Sequence, residues 1–115
     1  MATKTTFPID YGVPDNIRVL HKDFAIEVRD PIASVGDGKL GEVNFIKSVI
    51  QYVPFNNSES ADTLLHEVLH CLWRAFDLGL EDEEEHIVSV LATGLTTVMR
   101  DNPQLFPALQ KIVDS

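Results

Sequence analysis

The order of apolar patterns along the chain predicts an α+β fold, a small N-terminal sheet of two or three strands packed on two helices. Three observations carry this. Apolar residues alternate with polar ones in the first half, as in Phe24, Ile26 and Val28, which is the period of a strand. In the second half they recur every three to four residues, which is the period of a helix. Glycine, proline, asparagine and aspartate cluster between the segments, where turns belong.

Taken in order, residues 1–16 are polar with Pro8, Gly12 and Pro14, and read as a loosely attached arm. Residues 17–29, IRVLHKDFAIEVR, hold a strand, and DPIASVGDGKLG is turn chemistry. Residues 42–53, EVNFIKSVIQYV, form two short strands or one bent one, and Pro54 to Ser60 a loop. A helix then begins, capped by Ser60 and carrying Asp62 in its first turn. Leu65, Val68, Leu69, Leu72 and Phe76 mark its core stripe, and Gly79 ends it. A second helix starts near Asp82, with Glu85 three residues on as in a capping box. Its stripe is Ile87, Val88, Leu91, Leu95, Val98 and Met99, and Asn102-Pro103 stops it. Residues 104–113 make a short helix that docks back.

The chain has 115 residues, the size of one domain spanning 1–115. Nine basic against eighteen acidic residues give a net charge of −9, and Glu81 to Glu85 reads EDEEE. A surface so acidic repels phosphate and anionic lipid, so neither nucleic acid nor membrane is an expected partner, and a basic protein segment is. The start, MATKTTFPIDYG, lacks the apolar core of a signal peptide, and Cys71 is the one cysteine. Both point to a cytoplasmic setting.

The stretch that carries chemistry is TLLHEVLHCLW, residues 63–73. Positions four apart share a helix face, so His66 and His70 can aim one ring nitrogen each at a single point. Glu67 lies on another flank and can reach a water there without being a ligand. Two neutral imidazoles suit zinc, and a catalytic zinc site needs a third protein ligand. Zinc acidifies water and polarises a carbonyl, and Glu67 would be the general base. The plain alternative is an amphipathic helix with two half-buried histidines and a solvated Glu67.

The third ligand must face the first helix from the second. Glu85 lies in line with Val88, Ala92, Leu95 and Met99, and ranks first. Glu84 lies with Ile87, Val88, Leu91 and Leu95, and ranks second; His86 is third. For most of EDEEE the reading is simply acids welcomed by a helix N-terminus.

HEVLH followed by a helix led by a glutamate resembles the glutamate zincins, in style the ImmA/IrrE-type metallopeptidases and small phage-encoded metallopeptidases. On the pattern E-x-x-A-x-x-F-A-x-x-L the glutamate falls on Glu85, with Val88, Leu91, Ala92 and Leu95 following. The match spans residues 63–100, about a third of the chain. It implies a zincin-like fold, a Zn2+ cofactor and a peptidase centre. Only fourteen residues separate His70 from Glu85, so the turn at residues 77–80 must be tight and the cleft walls low.

Other residues were weighed against ordinary roles. Asp77 could hold a ligand imidazole by its free N–H, or simply end the helix in water. Trp73 could wall the site or be core. Cys71 points about 100° away from His70 and reads as a buried structural thiol. Residues Val49 to Val53 could be a sheet edge that takes an extended peptide, with Tyr52 reaching the substrate, or Tyr52 could end a strand in water. His21 reads as solvated. The expected function is therefore a minimal zinc metallopeptidase in which His66, His70 and Glu85 hold the metal and Glu67 is the base. The rival is a zinc-binding interaction or regulatory module, of phage or mobile-element type, without turnover.

Overall fold

The computed structural model describes residues 10–54 and 58–115. Residues 1–9 of the expected arm and residues 55–57 of the loop expected from Pro54 to Ser60 lie outside the described residues. The fold is α+β, with a four-stranded sheet followed by long helices. The elements are β1 (Asn16–Val19), β2 (Lys22–Val28), α1 (Pro31–Asp37), β3 (Gly41–Asn44), β4 (Val49–Tyr52), α2 (Glu59–Ala75), α3 (Glu81–Asp101) and α4 (Leu105–Val113).

The sheet order is β1-β2-β4-β3. β1 pairs antiparallel with β2, β3 antiparallel with β4, and β2 parallel with β4. There are thus four strands where two or three were expected. Residues 17–29 fold into a hairpin and not one strand, because Leu20 takes a left-handed conformation (φ 55°) and reverses the chain. The described end of the arm is also tied down, since the Asp15 carbonyl accepts from the Ile26 N–H at 2.7 Å.

The stretch read as turn chemistry contains α1. Asp30 caps it by accepting from the Ile32 N–H, Pro31 opens it, and Gly38 closes it with φ 73° while donating to the Ser34 carbonyl. Aspartate, proline and glycine make caps as readily as turns, which is why the composition misled. Arg29, buried at 7% exposure, holds this region together. Its guanidinium meets Ser34 Oγ at 3.2 Å, the Asp37 carboxylate, and Glu42 at 3.4 Å on β3.

Helix α2 lies between the sheet and α3, packing on β1, β3 and β4 on one side and on α3 along the other. Towards the sheet, Val19, Phe24, Ile50 and Cys71 form the buried core, with Leu64, Val68 and Leu72 packed against it. The expected stripe was therefore turned: Leu65 and Leu69 are half-buried and Phe76 is exposed. Towards α3, Trp73 is buried, and α3 answers with Val88, Ala92 and Thr96.

The caps differ from expectation. Ser58, not Ser60, is the N-cap of α2, and the Ser60 hydroxyl donates instead to the Val53 carbonyl at 3.1 Å, tying the helix start to the end of β4. Leu80, in a left-handed conformation, precedes α3, so Asp82 and Glu85 form no capping box. α4 forms over the expected residues but does not dock, and none of its residues is buried. Among the described residues no helix is long and apolar enough to cross a membrane.

The closest approach in the fold is at Gly41. A Cβ there would lie 2.7 Å from Thr63 Cγ2 and 3.0 Å from the Gln51 carbonyl oxygen. Gly41→Ala is therefore expected to lower stability by about 1–3 kcal/mol in urea denaturation. Adding Thr63→Ala should recover only part, because the Gln51 backbone remains in the way.

Candidate metal centre

Two helices build the centre. α2 presents His66 and His70 one turn apart, on the flank that meets the start of α3. The imidazoles lie edge to face, with centroids 4.7 Å apart. α3 brings up two successive glutamates at its first turns. Glu85 spans both rings: one oxygen lies 2.8 Å from His66 Nε2 and the other 2.9 Å from His70 Nε2. The two Nε2 atoms are 3.0 Å apart. Candidate ligand atoms of His66, His70 and Glu85 all fall within 4.8 Å of one another, so these three residues could hold a metal ion.

Glu84 does something else. Its carboxylate lies 2.6 Å from His70 Nδ1. A carboxylate only accepts, so here the Nδ1–H of His70 donates to Glu84, and Nε2 is the atom that faces His66 and Glu85. That is how a carboxylate orients a ligating imidazole and raises its basicity. Consecutive residues on a helix differ by about 100°, and this lets Glu84 grip the back of the ring while Glu85 faces its front. Glu84 had been weighed only as an alternative ligand. His86, the third choice, is exposed and outside the cluster.

The donor set fits a cation. A carboxylate oxygen and two imidazole nitrogens, the atom types that bind a divalent ion, converge on one point. His66 and His70 are 19% and 15% exposed, whereas Glu85 is 70% exposed. The centre is thus walled on the helix side and open on the other.

Glu67 is not on a solvated flank. It is buried at 7% exposure, on the side of α2 turned towards the sheet. Its carboxylate lies against β3, with Oε2 3.4 Å from where a Cβ of Gly41 would stand, which is ordinary van der Waals contact. Burial raises its pKa to about 7; the nearby charge of His70 lowers it, and Glu85 and Glu42 raise it. β3 is an edge of the sheet, and β4 lies inside it, between β2 and β3. The expected edge at Val49 to Val53 is therefore corrected to Gly41–Asn44.

The remaining candidates fall into structural places. Asp77 takes a left-handed conformation at the end of α2, and Glu84 fills the imidazole-holding role considered for it. Trp73 Nε1–H donates to the Gly79 carbonyl at 2.7 Å, which pins the α2–α3 turn. Cys71 is buried in the core, and burial pushes its thiol up to about 11, as suits an inert thiol. Tyr52 is buried too, not at a strand end in water. It lines a hollow of about 440 Å³ with Tyr11, Val13, Ala61 and Leu64, away from the histidine pair. His21 is exposed in the β1–β2 turn.

Comparison of the chain with family models, with curated proteins and with solved structures returns no match.

The raised Glu67 pKa has a thermodynamic consequence for the metal-free protein. Its folded-state value lies above the ordinary 4.5, so the neutral form is favoured by folding. That contribution is complete below about pH 4.5 and is lost as pH rises to about 7, an effect of about 3 kcal/mol. Urea denaturation of metal-free Glu67→Gln should match the wild type at pH 5 and exceed it at pH 8. Equal stabilities at both pH values would mean that Glu67 is not desolvated. Separately, Glu84→Ala should weaken metal binding roughly 10–100-fold while leaving the three ligands in place, as titration with Zn2+ would show.

Proposed function

We propose that this protein is a small zinc-dependent metallopeptidase with His66, His70 and Glu85 as ligands and Glu67 as general base. The observation that supports it most is the convergence of two imidazole nitrogens and a carboxylate from two helices, with a second carboxylate holding one imidazole from behind. Two histidines and one carboxylate form an open ligand set suited to catalytic zinc, and are unlike the closed sets of structural sites. A zinc ion held there supplies Lewis acidity, acidifying water and polarising a carbonyl.

The residues around the set have consistent roles. Glu67 follows the first ligand directly and is poised near neutral pH, where a general base works best. It can take a proton from water and return it to the departing amine. Its neighbour β3 is an edge strand, so an extended peptide could add there by backbone pairing. The acidic start of α3 favours a substrate segment with basic residues. A purely structural zinc site has no use for a buried, near-neutral glutamate between its histidines. The rival reading, a zinc-binding regulatory module, draws on the openness of the centre, where the Glu85 side chain is 70% exposed.

Elemental analysis of protein purified without added metal tests the first half of the proposal. The wild type should hold near-stoichiometric zinc, and His70→Ala and Glu85→Ala should lose it. A folded wild type that neither holds nor takes up zinc would sink both readings. Glu67→Gln tests the second half: it should keep the metal and lose about 10²–10⁴-fold in hydrolysis of a dye-labelled casein. A wild type that binds zinc but cleaves no better than Glu67→Gln would favour the module.

A further inference from the structure

The surface left open by α3 and α4 is as informative as the centre. α4 is amphipathic, with Leu105, Leu109, Ile112 and Val113 on one side, yet none of its residues is buried. The second half of α3 carries Leu91 and Val98 on one face, also uncovered. These six side chains are between 38% and 77% exposed. Helical stability comes mainly from burying such a face, and here nothing in the described chain does so.

We infer that this face is where a second copy of the chain binds, through α3 and α4 of each. Three observations select that occupant. The first is charge. Residues 90–115 hold two basic and two acidic residues, Arg100, Asp101, Lys111 and Asp114, so this end is neutral while the whole chain carries −9. Two copies meeting here keep their acidic parts apart, and opposite charges are available to pair across a two-fold axis. A partner selected by charge would find none to select.

The second is Gly94. It sits mid-helix between Leu91 and Val98, three residues after one and four before the other, on the same face. A Cβ added to it meets nothing within 4 Å. Glycine there weakens α3 without serving any packing in this chain, whereas it lets another helix come close. The third is size. Side chains of this kind left so open expose on the order of 500 Å² of apolar surface, against roughly 800 Å² per partner in a standard interface. The polar rim of both helices can supply the rest. Glu84 and Glu85 lie at the other end of α3, so the pairing leaves the metal centre free.

Sedimentation equilibrium of the full chain at roughly 1–100 μM tests this. The wild type should run as a reversible dimer. Leu109→Asp with Ile112→Asp, both exposed in the monomer, should raise the dissociation constant at least tenfold while zinc content stays unchanged. Gly94→Leu should also weaken the dimer at least tenfold, yet raise the thermal stability of the monomer, which a general folding defect cannot do. A wild type that is monomeric throughout would overturn the inference, including a monomer that co-sediments with phosphatidylcholine vesicles, where lipid is the occupant. A dimer indifferent to both variants would overturn it too, since its interface lies elsewhere.

Discussion

The candidate centre depends on the turn that joins α2 to α3. His66 and His70 are only half of the group that could hold a metal ion; the other half sits on a different helix and must arrive in register. Five residues separate the end of one helix from the start of the next, and three of the positions from Asp77 to Leu80 adopt left-handed backbone, with Gly79 the one glycine among them. For Asp77 and Leu80 this costs about 1–2 kcal/mol each. The Trp73 indole offsets part of that by donating to the Gly79 carbonyl. A turn this short leaves α3 little freedom to slide, so Glu84 and Glu85 reach the histidines from its first two turns.

Helix α2 serves two neighbours at once, and its sequence reflects both. The flank towards the sheet is apolar, built from Leu64, Val68, Cys71 and Leu72 around Ile50 and Phe24. The flank towards α3 holds the histidines and Trp73. Glu67 lies between these flanks, which explains its character. It is close enough to the centre to sense the charge of His70 and Glu85, and buried enough by β3 that its pKa rises to about 7. A dication at the centre would draw that pKa back down. The link between the sheet and the site is thus physical: the Glu67 carboxylate lies against β3 beside Gly41, and Arg29, through Glu42 and Asp37, ties that strand to α1.

The same architecture accounts for what remains uncovered. The sheet and α2 are small, and α3 runs for 21 residues. Its first half is used by α2, through Val88 and Ala92, and by the metal centre. Beyond Thr96 every residue except Thr97 is exposed, and so is all of α4. Function and association would therefore be divided along one helix, with chemistry at its acidic start and an apolar surface of no net charge at its end.

Much of this was legible from residue order. Period-two and period-3.6 patterns placed sheet before helices, HEVLH located both imidazoles, and the facing of α3 singled out Glu85. These succeed because helix geometry is local: residues four apart share a face whatever surrounds them. Burial and partners are not local, and here the pattern fell short. Whether Glu67 faced water or the sheet depended on how α2 packs against β3, a strand far earlier in the chain. Which strand was the edge depended on β3 pairing outside β4, and a parallel β2–β4 pair cannot be read from alternation. Glu84 and Glu85 have the same chemistry, and only the angle at which α3 meets α2 assigned one to the back of His70 and the other to the front. Residue order specified which side chains could converge; the packing of two helices and one strand decided how they meet, because those contacts rest on distances between segments far apart in the chain.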